Sequence, residues 1–195
     1  MALFLSRLPV HVTILESRPT RSASVAGAVI NFAPNGMCVL AGLGLAETIM
    51  QRENGIEVPW FFMYDSSGSF LGKIPQGGKE RYGYSSLMTT RCEIHEVLLE
   101  DAENRGIDVR YGAKVRALEE LEDGVVVQWS ENSVDKELKV DLVVGADGIW
   151  SVVRRWSAWI NSCLTNCIRL IKECAVSTNI SKSHALSQRI RVLLG

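Results

Sequence analysis

Apolar positions along the chain change their spacing several times, and each change marks an element. "VHVTIL" at 10–15 is a β-branched run of strand length that stops at Glu16. Residues 2–8 have helix-forming composition and end at Pro9. In "APNGMCVLAGLGLAETIM" (33–50), Met37, Leu40, Leu45 and Ile49 recur near helical spacing and predict one helix. "WFFMYDSSGSFLGKI" (60–74) predicts a hairpin, two apolar strands around an Asp-Ser-Ser-Gly turn. "TRCEIHEVLLEDAENRG" (90–106) has the fullest helix grammar. Thr90 and Glu93 stand at capping-box spacing, Ile94, Val97, Leu98 and Ala102 share a face, and Gly106 ends it. Period-two alternation over 107–130 predicts strands with a turn at Glu122-Asp123-Gly124. "KELKVDLVVGADG" then predicts a last strand that runs into a tight turn and opens a helix.

From Trp156 onward the pattern fails. Ser, Asn and Cys are scattered without a sustained period, and a short helix around 160–174 is the most that the spacing supports. The expected division is an ordered region over 1–155 and a divergent, poorly specified tail over 156–195. Alternation of strands with helices in the ordered region predicts an α/β fold.

Composition narrows the partners. Of the 195 residues, 47% are apolar and 22% charged, as in ordinary globular proteins. A formal net charge of −1 gives no electrostatic reason for nucleic acid or an anionic membrane. No apolar run approaches the roughly 18 residues of a transmembrane span. The opening "MALFLSRLPV" is too short for a signal peptide and lacks a small-residue cleavage site. Five cysteines, none in a CxxC pair, suit reduced thiols, so a cytoplasmic location is expected. Cys163 and Cys167 lie one helical turn apart with no histidine beside them, so no metal site is expected. His11, His95 and His184 stand alone, and no catalytic base is assigned.

Three features carry chemistry. Glu16 ends the strand in "VTILESRP", where a dinucleotide fold uses a carboxylate to accept from ribose hydroxyls; a solvated loop acid is the plainer reading. Arg91 sits in the first turn of a capped helix, placed to fork onto a diphosphate or simply to face solvent. Asp147 and Gly148 follow an apolar strand at a turn into a helix. The acid there can accept from a ribityl hydroxyl while the helix N-terminus faces phosphate, or the pair is an ordinary Asp-Gly turn.

Taken in order, "VTILESRP", "GAVINFAPNG", "TTRCEIHEVL" and "DLVVGADGIWSVVRR" resemble the FAD-dependent aromatic-ring monooxygenases of the p-hydroxybenzoate and salicylate hydroxylase type, over about residues 2–155. The resemblance implies an α/β, Rossmann-like FAD-binding fold with a small β-rich portion. It implies Glu16 at the adenosine ribose and Arg91 near the diphosphate and ribityl chain. Asp147 and Gly148 would lie on the cofactor side, and Arg154 would serve FAD and NADPH. The backbone of loop 27–30 would pass close to the flavin, where Val29 replaces the family's usual glycine and adds a Cβ. Such enzymes reduce FAD with NADPH or NADH and use a flavin hydroperoxide to hydroxylate a small aromatic or polyketide-like substrate.

The same resemblance implies an incomplete copy. No GxGxxG motif occurs in the chain, and only 15 residues precede Glu16, so the first strand and its phosphate turn are expected to be missing. Hydrogen bonds to charged groups are worth about 1.5–3 kcal/mol each. Two or three fewer would weaken FAD by roughly 10³–10⁵, to about millimolar. The chain alone is therefore expected to have impaired activity, and the alternative is a non-catalytic remnant or binding protein that retains part of the flavoprotein fold.

Overall fold

The computed structural model describes residues 1–21, 28–53 and 55–159, with side chains through Trp156. The expectations for a helix at 160–174, for Cys163 and Cys167, and for Gly27 lie outside the described residues. The chain divides into two compact units, one made of Met1–Arg21 with Gly106–Gly195 and the other of Ser22–Arg105.

In the first unit, α1 (Ala2–Leu5) precedes β1 (Thr13–Glu16), which pairs in parallel with β7 (Asp108–Tyr111). Thr13, Ile14 and Leu15 are all buried. Burial at successive positions means both faces of β1 are covered, and that is why its sequence is a continuous apolar run rather than an alternating one. An antiparallel meander follows: β8 (Lys114–Leu121), β9 (Gly124–Glu131) and β10 (Val134–Val140), with β9 central. The turn from β8 to β9 falls at Glu122-Asp123 as the alternation predicts. Gly124 is required there, because a Cβ would sit 2.6 Å from the Val140 carbonyl oxygen and φ is +149°. β9 and β10 are joined by Asn132 and Ser133, both at positive φ. Asn-Ser is a weaker signal for such a turn than Asn-Gly, so sequence pattern alone leaves it unmarked.

The meander's core is Leu15, Ala113, Leu118, Val127, Trp129 and Val140. Val153 and Trp156, three residues apart on α6 (Val152–Trp159), pack against it with one helix face. One expectation is corrected here. The last strand ends at Val140, and Leu142–Val144 form no ladder, although the sequence predicted a strand continuing to the Asp-Gly turn. β-branched residues supply propensity, but an extended segment becomes a strand only when a neighbour pairs with it.

The second unit has a three-stranded antiparallel sheet in which β6 (Ser86–Thr90) lies between β2 (Val29–Phe32) and β3 (Ile56–Val58). The single helix predicted over 33–50 is two, α2 (Pro34–Leu43) and α3 (Ala46–Met50). Gly44 makes the break: its φ of +81° closes α2 with a left-handed cap. Met37, Leu40, Leu45 and Ile49 are nonetheless buried, as their spacing requires. The hairpin is β4 (Trp60–Tyr64) and β5 (Phe70–Pro75), its turn fixed by Asp65, whose carboxylate accepts from the Ser67 and Ser69 amides at 2.9 and 2.8 Å. After the short α4 (Lys79–Tyr82) and β6 comes α5 (Arg91–Asn104), capped by Thr90, whose hydroxyl accepts from the Glu93 amide at 3.4 Å. The Glu93 carboxylate accepts from the Thr89 hydroxyl at 2.9 Å, and Gly106 follows the helix at φ +71°.

Candidate functional site

Glu16 stands at the carboxyl end of β1, the end at which open parallel sheets hold ligands. Its Oε1 accepts from the Arg18 amide at 2.8 Å and from the Ser17 hydroxyl at 3.4 Å. Leu15 and Ser17, on either side of it, line a cleft of about 190 Å³ together with Ala113, Val115, Asp147 and Trp150. Two stretches 130 residues apart in sequence, both singled out for their acids, thus meet at one concavity. Its walls are mainly apolar side chains, and Asp147 places a carboxylate among them.

Two opposed effects act on the Asp147 carboxyl. Partial burial raises its pKa, but hydrogen bonds from the Ser151 hydroxyl and from the amides of Val153, Asp147 and Val152 outweigh this and hold it below the ordinary carboxylate value. Its Oδ2 accepts the Val152 amide at 2.6 Å and the Val153 amide at 3.3 Å. The Arg154 amide goes to the Ser151 hydroxyl oxygen at 2.8 Å, and the Ser151 amide to the Gly148 carbonyl at 3.3 Å. The amides of Ser151 to Arg154, which a helix cannot satisfy by itself, are therefore all accounted for, and the helix's own ladder begins with the Arg155 amide on the Ser151 carbonyl at 3.3 Å. The expected outward-facing phosphate site at this helix end is not what forms; the motif's own side chains take those donors.

Gly148 opens a 3₁₀ turn, Gly148–Trp150, at φ +70°, a conformation that favours glycine. The Arg154 guanidinium donates to the Ile149 carbonyl and closes the same turn from its other side. Ile149 and Trp150 are left 76% and 80% exposed. Ser151 was not among the sequence candidates. Its signal was present, since a serine directly before an apolar pair at a helix start is a standard cap.

Val29 and Arg91 belong to the second unit, where they come together. The Arg91 amide donates to the Ala28 carbonyl at 3.2 Å, and Val29 pairs with Thr90, the residue before Arg91. Val29 is 61% exposed and the Arg91 side chain is exposed as well. The candidates thus form two clusters: Glu16, Asp147, Gly148 and Arg154 in one unit, Val29 and Arg91 in the other. Among the described residues no cluster of three metal-ligating side chains occurs, and no helix is long and apolar enough to cross a membrane.

An apolar cleft with an ionised acid at its wall, set beside the carboxyl end of a parallel strand, has the make-up of a small-molecule site. Comparison with known families names the cofactor. Residues 1–158 match the model of the FAD binding domain family, and the chain belongs to it; its cofactor is FAD. Over 155 residues the chain is 39% identical to the FAD-dependent monooxygenase pytG of Aspergillus terreus, a match covering 78% of this chain and 44% of that protein. Its fold is similar to p-nitrophenol 4-monooxygenase from Pseudomonas putida, with a TM-score of 0.68 and 25% identity over 78% of this chain and 38% of that one. HpxO of Klebsiella pneumoniae, solved with FAD and uric acid, superimposes at a TM-score of 0.57 and 26% identity, covering 75% and 41%. The chain thus spans less than half the length of each.

Proposed function

We propose that this chain is the FAD-holding part of a monooxygenase that uses NADPH or NADH to hydroxylate a small aromatic or polyketide-like substrate. Residues 1–155 act as the partial FAD-binding domain, and its last helix, α6, runs on past 155 with Trp156 packed on the meander core. The observation that carries the reading is the placement of an ionised Asp147 in the same cleft as the end of β1, within a chain of this family. A phenol in the name of one neighbour and uric acid bound in the other support a planar, electron-rich substrate.

Bound FAD supplies the redox chemistry and the activation of oxygen; the polypeptide binds and orients it. Glu16 and Asp147 would accept hydroxyl donors of the ribose and ribityl chain, with Leu15, Val115 and Trp150 as apolar walls that keep water from those bonds. Gly148 lets the backbone approach without a Cβ. Arg154 would keep the 148–150 turn closed and add positive charge for anionic groups of either nucleotide. In the second unit Arg91 would contribute positive charge for the diphosphate, and Val29 a backbone contact with the flavin.

The test is a titration of FAD into the purified chain, carried to millimolar cofactor and read by flavin fluorescence. Saturable binding is expected, with Asp147→Asn raising the dissociation constant about tenfold, the loss of one charge-assisted hydrogen bond. Equal binding by wild type and Asp147→Asn would remove Asp147 from the site.

A further inference from the structure

The β4–β5 hairpin is a two-stranded sheet, so each strand has one edge that no other described strand pairs with. The ladder fixes which backbone groups lie on those edges. The Gln76 amide donates to the Pro59 carbonyl at 2.9 Å, and the Asp65 amide to the Ser69 carbonyl at 3.0 Å. Alternation between these two bonds turns Phe61 and Met63 toward β5 and turns the N–H and C=O groups of Trp60, Phe62 and Tyr64 outward. The two edges differ in chemistry. On β5, Pro75 has no N–H to offer, Lys73 sets a charge, and the register shift leaves Leu71 without an opposite residue. These are devices that keep strand edges from pairing. The β4 edge, Trp-Phe-Phe-Met-Tyr, carries none of them.

We infer that the free edge of β4 pairs antiparallel with β4 of a second copy of this chain, about a two-fold axis through Phe62, to give a four-stranded sheet. This register sets Phe62 opposite its own counterpart and Trp60 opposite Tyr64 of the second copy, and every such pair meets through its outward backbone groups. The side chains agree with the backbone. Trp60, Phe62 and Tyr64 share one face, as alternate strand residues do. Phe70 extends that face on β5, its ring 6.5 Å from Phe62 and 5.6 Å from Tyr64. All four are exposed, and pairing lines their rings up across the new seam. With Phe61 on the other face, these half-open aromatic side chains offer roughly 500 Å² per copy, so two copies bring about the 1,000 Å² that a specific interface needs. The guarded edge of β5 closes the assembly at two chains.

The experiment is sedimentation velocity on wild type, Phe62→Glu, Phe62→Lys/Lys73→Glu and an equimolar mixture of the two variants. Lys73 is the residue opposite Phe62 inside the hairpin, so each variant keeps one acid and one base across β4 and β5. Across the two-fold, each variant alone sets like charges together, and the mixture sets opposite ones. Wild type is expected to pass from monomer to a dimer plateau as concentration rises. Each variant alone is expected to raise the dimer dissociation constant at least about tenfold, and the mixture to reverse most of that loss. A wild-type dimer constant for either variant alone, or a mixture no tighter than its components, would overturn the inference. So would association that passes the dimer without a plateau. Wild type that stays a monomer would overturn it as well and leave the β4 edge to a strand of a different polypeptide. Should a charged variant lose the wild-type far-ultraviolet dichroism, Phe62→Pro takes its place, since an edge proline keeps the β5 ladder and removes an outward donor. A dimer as tight as wild type in Phe62→Pro would overturn the pairing.

Discussion

Asp147 illustrates how one side chain can serve local structure and ligand chemistry together. Its carboxylate is held below the ordinary value near 3.8, with burial opposing and the Ser151 hydroxyl and three backbone amides prevailing. A folded-state pKa below the unfolded one means that the ionised acid stabilises the fold above about pH 4 and ceases to as pH falls through the folded value. The gap in melting temperature between wild type and Asp147→Asn is therefore expected to be open at pH 7 and to close below about pH 4. Thermal scans across that range check it, and a gap that widened in acid would contradict the hydrogen-bond account. Gly145, two residues earlier, is fixed by packing rather than by charge. A Cβ there would lie 2.7 Å from the Cβ of Val153, which is packed against the meander core. Gly145→Ala is expected to cost about 1–3 kcal/mol through overpacking, read from urea unfolding. An unchanged midpoint would mean that α6 can shift away freely.

At the scale of elements, the caps explain where the helices start and stop. Thr90→Ala should destabilise by about 0.5–1 kcal/mol, near the low end for a cap because the bond to the Glu93 amide is long, while Thr90→Ser should be neutral; circular dichroism melts distinguish them. α5 was legible in the sequence because cap, apolar face and terminal glycine agree with one another. The helix expected over 33–50 was legible in its buried face but not in its break. The same Gly44 that fits within a helical period also closes a helix when φ is positive, and spacing does not distinguish these. Leu142–Val144 failed for a different reason: strand propensity was read correctly, but pairing is a property of neighbours and not of the segment. The Asn132-Ser133 turn was missed because two residues at positive φ were accommodated without glycine.

For the molecule as a whole, the candidate residues could be picked from the sequence, but which of them share a unit could not. Glu16 and Asp147 were singled out from their places after apolar strands, and only the fold brings the flanks of one beside the other. Ser151 carried a cap signal in the sequence, and only its burial had to wait for the fold. The β4–β5 hairpin shows the converse, a segment whose strands were plain in the sequence but whose surroundings were not. Phe61 and Phe62 are successive strand residues, which point to opposite faces, yet they are 54% and 52% exposed. Both faces of this hairpin therefore present apolar surface to solvent. Ile74 pairs with Phe61 and is 45% exposed, while Tyr64 and Phe70 stack edge to face at 5.6 Å and remain open. Contiguous apolar surface of this kind attracts other apolar groups, whether dye or protein. The chain is expected to enhance the fluorescence of an apolar dye and to self-associate as concentration rises. Phe61→Thr with Ile74→Thr keeps β-formers at a directly opposed pair and clears one face. That variant should bind less dye and sediment closer to a monomer, with its far-ultraviolet dichroism unchanged. Dye binding equal to wild type would place the responsible surface elsewhere on the chain.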